Sequence, residues 1–182
     1  IAALSMRLFS PERQSGTLDL LLTRPISLWS IVLGKYLGAF GVLLLLLFST
    51  ISYPLTMDAL ISGPYAFDWG LYWSGFSGLL LLSALWLALG VLCSVLTANG
   101  LVAFMLTLMI GAGVYLIPGV YGSESIYFEF TSGLWSAAGA GYLLALSFVL
   151  LLVSRQVLSA FGGNKQRWTG LLKPVIMGLA VA

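Results

Sequence analysis

The chain has 182 residues, of which 60% are hydrophobic and 8% are charged, and its net charge is +2. Soluble domains carry about 25% charged residues, so this composition excludes a soluble fold and indicates a membrane protein with several spans. The few basic residues form no continuous stripe, which also excludes nucleic-acid binding.

The chain begins with an apolar segment, residues 1–6, that lacks the basic leader and cleavage site of a signal peptide. We expect this segment to be the exit of a preceding membrane span. At the other end, residues 174–182 are again apolar but too few to cross a bilayer. We therefore expect residues 1–157 to be part of a transmembrane domain, and residues 158–182 to be a cytoplasmic basic linker that leads into a further hydrophobic segment.

A compact charged segment runs from Ser10 to Lys35, and we call it the elbow. Ser10 is a favourable N-cap, Pro11 fits the first turn of a helix, and Glu12 places a negative charge near the positive end of the helix dipole. A helix is therefore predicted to begin at this point. Because charged groups avoid hydrocarbon, the elbow must lie in water.

The second part of the elbow is a short amphipathic element over residues 17–23. Gly16 is expected to weaken the helix that begins at Ser10 in its middle, and Leu18, Leu21 and Leu22 share one face. A helix that rests on lipid headgroups has basic residues along its polar face, but this element carries none. Docking to a protein is therefore the favoured interpretation, and contact with lipid headgroups is the alternative.

The elbow leads directly into the first membrane span. Pro25 forces the residue before it out of the helical region, and Ser27 is placed to cap the next helix. That helix is predicted to pass Lys35 at the membrane edge and to continue into an uncharged run.

Four uncharged runs have about the length that a bilayer requires, which is about 20 residues. They cover residues 36–57, 71–96, 101–117 and 134–153. Backbone groups in lipid must bond within their own segment, so each run is predicted to be a helix. The predicted fold class is all-α, a polytopic membrane helix bundle with four spans in this chain. Pro54 is expected to open the first span near its outer end.

The charged loops predict the orientation of the bundle. The basic residues precede the first span or follow the fourth, which places both ends of the chain in the cytoplasm by the positive-inside rule. They are Arg7, Arg13, Arg24, Lys35, Arg155, Lys165, Arg167 and Lys173. The loops over residues 58–70 and 118–133 contain acidic residues and no basic ones, so they are predicted to face outward. Residues 97–100 form a tight cytoplasmic turn.

Small residues four positions apart predict close helix contacts within the bundle. They are Gly34 with Gly38, Ala84 with Ala88, and the series Gly133, Ala137 and Gly141. Aromatic residues cluster where the second and fourth spans begin, as in an interfacial belt. For residues 121–133 the alternative is a short re-entrant or interfacial helix that lines a substrate exit.

Chemistry that could drive transport or catalysis is missing from the spans. The chain has no histidine, no GxxxxGK[ST] phosphate loop and no ionisable residue near the centre of a predicted span. Cys93 lies in an apolar run and is expected to be a packing residue. A bundle without an internal energy-coupling group, but with one structured elbow, suggests that force is delivered from outside the chain.

The segment MRLFSPERQSGTLDLLLTRPISLWSIVLGK closely resembles the stretch after the second span of ABC type-2 transporter permeases, especially those of the gliding-motility type. MRLF, the Glu-Arg pair, the Gly-Thr-x-acidic-Leu-Leu-Leu-Thr run, the proline and the Gly-Lys pair recur there in this order. LYWSGFSGLLLLSALWLALGVLCSVLTANGLVAF is similar to the family's following helix pair, and YFEFTSGLWS to the stretch that enters the last span. The resemblance covers residues 6–157 and implies six spans in the full permease.

In this family the elbow is the coupling element that docks on a separate cytoplasmic ATP-binding subunit. The resemblance implies partner-coupling roles for Glu12, Arg13, Gly16, Thr17, Asp19, Leu20, Leu21, Thr23 and Pro25, with Gly34 and Lys35 where the chain returns to the membrane. The apolar face described above adds Leu18 and Leu22 to this set. No catalytic, metal or cofactor site is expected in the chain, whereas ATP and magnesium are expected on the partner.

These observations predict the permease subunit of an ATP-driven ABC exporter in the bacterial inner membrane, which is not itself an enzyme. The expected partners are an ABC ATP-binding subunit, a second permease copy or homologous subunit, and the lipid bilayer. The tail over residues 164–182 resembles the opening of an auxiliary membrane subunit. The alternative is a non-transporting membrane anchor for a motility or envelope complex.

Overall fold

Within residues 1–17, 27–60, 67–116 and 123–162, which the computed structural model describes, the chain forms helices and no strands. Their bounds are α1 (Ala2–Ser5), α2 (Ser10–Gln14), α3 (Leu28–Ser49), α4 (Ser52–Leu60), α5 (Trp69–Leu96), α6 (Gly100–Leu116), α7 (Ser123–Thr131) and α8 (Ala137–Gly162). The predicted all-α membrane bundle is confirmed.

Among the described residues, three helical stretches are long and apolar enough to cross a bilayer. They are the α3–α4 pair over Leu28–Leu60, the whole of α5, and α8 from Ala137 to Ala160. α6 has 17 residues and at about 1.5 Å per residue is about 26 Å long, slightly less than the hydrocarbon core of about 30 Å. The predicted third span is therefore a helix at the expected position, and its crossing stays a prediction.

The first span begins and breaks where local residues predict. The N–H of Ser30 donates to Ser27 Oγ at 3.1 Å, which confirms Ser27 as the cap of α3. The helix is interrupted at Thr50 and Ile51, just before Pro54, because proline has no N–H and its ring crowds the preceding turn. The Thr50 N–H and hydroxyl both donate to the Leu47 carbonyl at the break, at 3.0 and 2.6 Å.

Helix α5 is the centre of the bundle. It packs against α1, α3, α6, α7 and α8. Within its most apolar stretch 56% of the residues are buried inside the chain, compared with 22% for the α3–α4 pair and 28% for α8. A displacement of α5 would therefore change the packing of every other long helix that the structure describes.

The core joins α3, α5 and α8 at one end of the bundle. The side chains that α3 buries recur every three or four residues, as a helix with a single packed face requires, and they are Ile31, Val32, Tyr36, Ala39 and Leu43. The Tyr36 hydroxyl donates to the Ala84 carbonyl at 3.1 Å. Phe9, which precedes α2, is only 1% exposed and is inserted into this same core.

Several glycines have no side chain where a side chain of another helix packs against their backbone. A Cβ on Gly90 would lie 1.9 Å from Ser5 Oγ and 2.5 Å from Ser5 Cβ, so the residue must be glycine for α1 to pack on α5. Gly78 receives Phe130 in the same way, where an added Cβ would lie 2.6 Å from the Phe130 Cβ. These contacts attach the segments before α2 and before α8 to the central helix.

The predicted small-residue pairs have different outcomes. Ala84 and Ala88 are buried, as expected for close helix contact. Gly34 and Gly38 are exposed, and a Cβ added to either would have no neighbour within 4 Å among the described residues. The series that begins at Gly133 is wrong as a helical pattern, because Gly133 has φ of 85° and lies in the turn before α8.

The opposite end of the bundle carries the expected aromatic clusters. Trp69, Tyr72 and Trp73 pack edge to face, with centroid distances of 6.1 Å and 5.6 Å along this series. Residues 123–131 form α7, so the alternative for residues 121–133 is right in predicting a helix, whereas its re-entrant or interfacial position stays a prediction. The Phe130 carbonyl accepts from the Ser74 hydroxyl at 2.5 Å. A role in lining a substrate exit stays a prediction.

We predict that Gly90→Ala destabilises the bundle, because a new Cβ collides with the Ser5 side chain. Overpacking of this kind costs about 1–3 kcal/mol, which is measured as a lower midpoint of thermal unfolding in detergent. Gly75→Ala is the matched control on the same helix, because an added Cβ there has nothing within 4 Å. Its stability should be unchanged or up to about 1 kcal/mol higher.

Combining Gly90→Ala with Ser5→Gly removes both colliding atoms and should restore much of the loss. Equal midpoints for Gly90→Ala and Gly75→Ala would show that α1 does not pack on α5 as described.

Candidate functional site

The candidate site lies at the end of the bundle where the elbow begins. Here the segment before α2 meets the first turns of α3, the last turn of α5 and the first turn of α6. The basic side chains that the structure describes, Arg7, Arg13, Lys35 and Arg155, belong to this end. Asp58 near the end of α4, Asp68 before α5 and Glu129 in α7 belong to the opposite end.

The start of α2 differs from the sequence prediction. Ser10 is the first residue of the helix and not its N-cap; Phe9 occupies the cap position and provides no side-chain hydrogen bond. The Ser10 hydroxyl donates to the Met6 carbonyl in the preceding turn instead. The acceptor that the first turn of α2 needs comes from a residue far away in the chain.

That acceptor is Ser94, in the last turn of α5. The N–H groups of Phe9 and Ser10 donate to Ser94 Oγ at 3.0 and 3.1 Å. The same hydroxyl donates to the Met6 carbonyl at 3.2 Å, so it uses its full hydrogen-bonding capacity. Ser94 is completely buried. One hydroxyl of α5 thus performs the capping role that the local sequence assigned to Ser10.

Arg13 makes the reciprocal contact. Its guanidinium Nη1 donates to the Val95 carbonyl at 2.8 Å and also to the Leu96 carbonyl. These carbonyls belong to the last turn of α5, where a helix has no partners of its own for its final oxygens. A cation at this position also complements the negative end of the helix dipole. Arg13 therefore caps the C-terminus of the central helix.

Lys35 fastens the elbow to α3. Its ammonium forms an ion pair with Glu12 Oε1 at 2.5 Å and donates to the Leu8 carbonyl at 2.5 Å. It also lies 4.3 Å from the centroid of the Phe9 ring, a cation–π distance. The second carboxylate oxygen of Glu12 is buried without a hydrogen-bond partner among the described residues. Lys35 thus joins Leu8, Phe9 and Glu12 to α3.

The helix that starts at Ser10 does not continue through Gly16. It ends at Gln14, and Gly16 adopts φ of 70°, a left-handed conformation that closes helices and that glycine adopts at little cost. The Ser15 hydroxyl donates to the Pro11 carbonyl at 2.9 Å and contacts Thr17 Oγ1 at 2.8 Å. The prediction of one helix merely weakened at Gly16 is therefore wrong, because this glycine terminates it.

The structure brings together only part of the predicted coupling set. Glu12 and Arg13 face the bundle and bind its helices, whereas Gly16, Thr17 and Gly34 are exposed. We call Ser10–Gln14, with its contacts to α3 and α5, the anchored half of the elbow. The remaining predicted residues, Leu18, Asp19, Leu20, Leu21, Leu22, Thr23 and Pro25, lie outside the described residues.

Sequence reasoning missed three residues on which the anchored half depends. Ser94 lies in an uncharged run, and its local spacing does not distinguish it from serines such as Ser154, which bonds to its own helix. In the sequence Phe9 stands out only as part of the MRLF motif, although it is inserted into the core. The sequence around Gly90 does not indicate its role, because the space that it leaves for Ser5 is visible only when α1 is placed against α5.

Comparison with known proteins decides the family. The family model described as ABC-2 family transporter protein matches residues 1–131, which is more than half of the chain. The chain belongs to the ABC-2 transporter family. No curated protein and no solved structure matches it.

The match covers α1 through α7 and includes the whole elbow. The ABC-2 chain is therefore a multi-pass membrane protein and a permease component of an ABC transporter. Membrane domains of this family are typically non-catalytic, and membership implies association with an ABC ATP-binding subunit.

We predict that Ser94→Ala loosens the anchored half, because the N–H groups of Phe9 and Ser10 lose their acceptor. A buried group left unsatisfied costs about 1–3 kcal/mol, which corresponds to about five- to hundredfold faster local exchange. Hydrogen exchange of the peptide over residues 6–14 measures it.

Ser154→Ala is the matched control, because Ser154 is equally buried but donates to the Leu150 carbonyl in its own helix. The same exchange rate in both variants would contradict the capping role of Ser94.

Proposed function

We propose that this ABC-2 chain is the membrane subunit of an ATP-driven exporter, and that the elbow receives movement from the ATP-binding subunit and passes it to α5. The observation that carries the proposal is the double attachment of the anchored half to the end of α5. Arg13 binds the Val95 and Leu96 carbonyls, and Ser94 binds the N–H groups that open α2.

The charge distribution supports an orientation with the elbow in the cytoplasm. The basic residues that the structure describes lie at the elbow end of the bundle, where Glu12 is the acidic residue among those described. Acidic residues lie at the other end of the bundle, and they are Asp58, Asp68 and those of α7. Basic residues are retained on the cytoplasmic side of membrane proteins, so an ATP-binding subunit would meet the elbow in water.

The elbow then divides into two parts with different roles. Glu12 and Arg13 are positioning residues, because their side chains bind this chain's own helices. The contact with the ATP-binding subunit is assigned to Gly16, Thr17 and the segment over residues 18–25. Gly16, with φ of 70°, separates the two parts. Pushing on the second part would turn the first part against the end of α5.

The central position of α5 explains how a local push could open a path. α5 packs against α3, α6 and α8, and these helices share little contact with one another apart from the α3–α8 packing. A shift or tilt of α5 would therefore change the spacing of the whole bundle. No ionisable group of the spans is needed for this step, since ATP and magnesium act on the partner subunit.

The permease subtype, its membrane location and its membrane partners are proposed from the sequence motif of the elbow. The ordered match of residues 6–35 supports the gliding-motility type of permease, a bacterial inner-membrane location and a second permease copy or homologous subunit as partner. The basic tail over residues 164–182 supports an auxiliary membrane subunit beside it. A non-transporting anchor would bind the same ATP-binding subunit without moving α5.

We predict that docking and coupling separate in two elbow variants. Leu21→Asp places a charge on the proposed contact face and should abolish co-purification of the ATP-binding subunit. Arg13→Gln should retain co-purification but lose the change in ATPase turnover that assembly with the membrane subunit causes. Loss of hydrogen bonds from a charged group costs about 1.5–3 kcal/mol, or about ten- to hundredfold in the population of the fastened elbow.

Arg155→Gln is the control for Arg13→Gln, because Arg155 is a basic residue at the same end whose guanidinium lies 5.1 Å from the Trp29 ring and not on α5. Unchanged coupling in Arg13→Gln would reject the role of the anchored half. If the ATP-binding subunit binds the unaltered chain without any change in turnover, the protein is a membrane anchor.

A further inference from the structure

An open cavity of about 360 Å³ lies beside the anchored half of the elbow. One wall is formed by α2 and the residues before it, with Arg7 and Gln14, and the other by the start of α6, with Asn99 and Leu101. The lining combines a cation and two amides with apolar side chains, and it contains no acidic residue. A cavity of this composition suits an anion that is attached to an apolar group.

Arg7 differs from the other basic side chains that the structure describes. Arg13 binds carbonyls of α5, Lys35 binds Glu12, and Arg155 lies over the Trp29 ring. Arg7 is exposed at the cavity and forms no hydrogen bond, ion pair or ring contact with the described part of the chain. Its charge is therefore available to a ligand.

The cavity opens next to α6, which carries exposed apolar side chains from its first turn. Leu101 is 69% exposed, and Met105 and Met109 continue the same exposed apolar face along α6. Where α6 crosses the bilayer, as predicted, acyl chains cover the part of this face that no other helix covers. The polar part of the cavity consequently lies at the level where headgroups adjoin the acyl region.

We propose that this cavity binds the phosphate of an anionic phospholipid, with Arg7 as its charged contact and the amides of Gln14 and Asn99 as neutral donors. The acyl chains of the same lipid would lie along the exposed face of α6 that begins at Leu101. Basic pockets between membrane helices on the cytoplasmic side are known to take headgroups of this kind. A free phosphate ion has the same headgroup chemistry but no acyl chain to place on α6.

The proposed lipid would stabilise the attachment of the elbow. Ser10, Pro11 and Gln14 of α2 line the cavity. Ser94 caps the first turn of this same helix. A headgroup wedged between α2 and α6 would therefore hold the anchored half in place. The inference shares the cytoplasmic orientation with the proposed function but does not require an ATP-binding subunit, so each can fail without the other.

The test uses the full chain in nanodiscs of phosphatidylcholine with increasing fractions of phosphatidylglycerol. Hydrogen exchange of residues 6–14 should become slower as phosphatidylglycerol is added, and Arg7→Gln should weaken this response about fivefold, the factor for about 1 kcal/mol per basic residue. Arg155→Gln should respond like the unaltered chain, because its charge lies on α8 away from the cavity.

A second arm adds inorganic phosphate to the detergent-solubilised chain, which should not slow the exchange. Slowing by phosphate alone would reassign the cavity to a soluble anion. Equal responses in Arg7→Gln and the unaltered chain would overturn the proposal. Loss of the ATP-binding subunit in Arg7→Gln, with an unchanged response to phosphatidylglycerol, would also overturn it and make the cavity a protein contact.

Discussion

The first turn of α2 and the last turn of α5 satisfy each other's backbone groups, and the rest of the site depends on this exchange. Ser94 accepts the N–H groups that α2 leaves open, and Arg13 donates to the carbonyls that α5 leaves open. Ser94 lies 84 residues after Ser10 in the chain. Ser94, Phe9 and Ser10 are buried, and buried backbone groups without a partner are costly. Neither helix end is therefore complete without the other.

This exchange makes the anchored half of the elbow part of the bundle. Phe9 fills the core between α3, α5 and α8, and Lys35 joins the elbow to the first span through Glu12. The Ser5–Gly90 contact brings the preceding segment against the same helix. A chain with no charged residue near the centre of its predicted spans thus has Arg13 and Lys35 bound at this end of the bundle, where we propose that a partner subunit acts.

The fold was predictable where local sequence determines it. The Ser27 cap and the break before Pro54 depend on neighbours a few residues away, and composition alone indicated membrane helices. The N-cap prediction for Ser10 is wrong because the acceptor for the first turn of α2 lies far away in the chain. Helix propensity predicts only that Gly16 weakens the helix, whereas its left-handed conformation ends it. Motif resemblance implies a coupling role for Arg13, which stays a prediction, and only the fold shows that Arg13 caps α5. The residues of the elbow over 18–25 keep their roles as predictions.

Cysteine cross-linking in native membranes tests the fastening of the elbow most directly. A Cβ on Gly100 would lie 3.3 Å from Ser10 Oγ, close to the distance of about 3 Å between a Cβ and the opposite sulfur of a disulfide. In a chain with Cys93→Ala, the pair Ser10→Cys and Gly100→Cys should form a disulfide on mild oxidation, identified by mass spectrometry of the linked peptides. The pair Ser10→Cys and Leu60→Cys, from opposite ends of the bundle, should not. Absence of the first cross-link, or equal yields of both, would contradict the account.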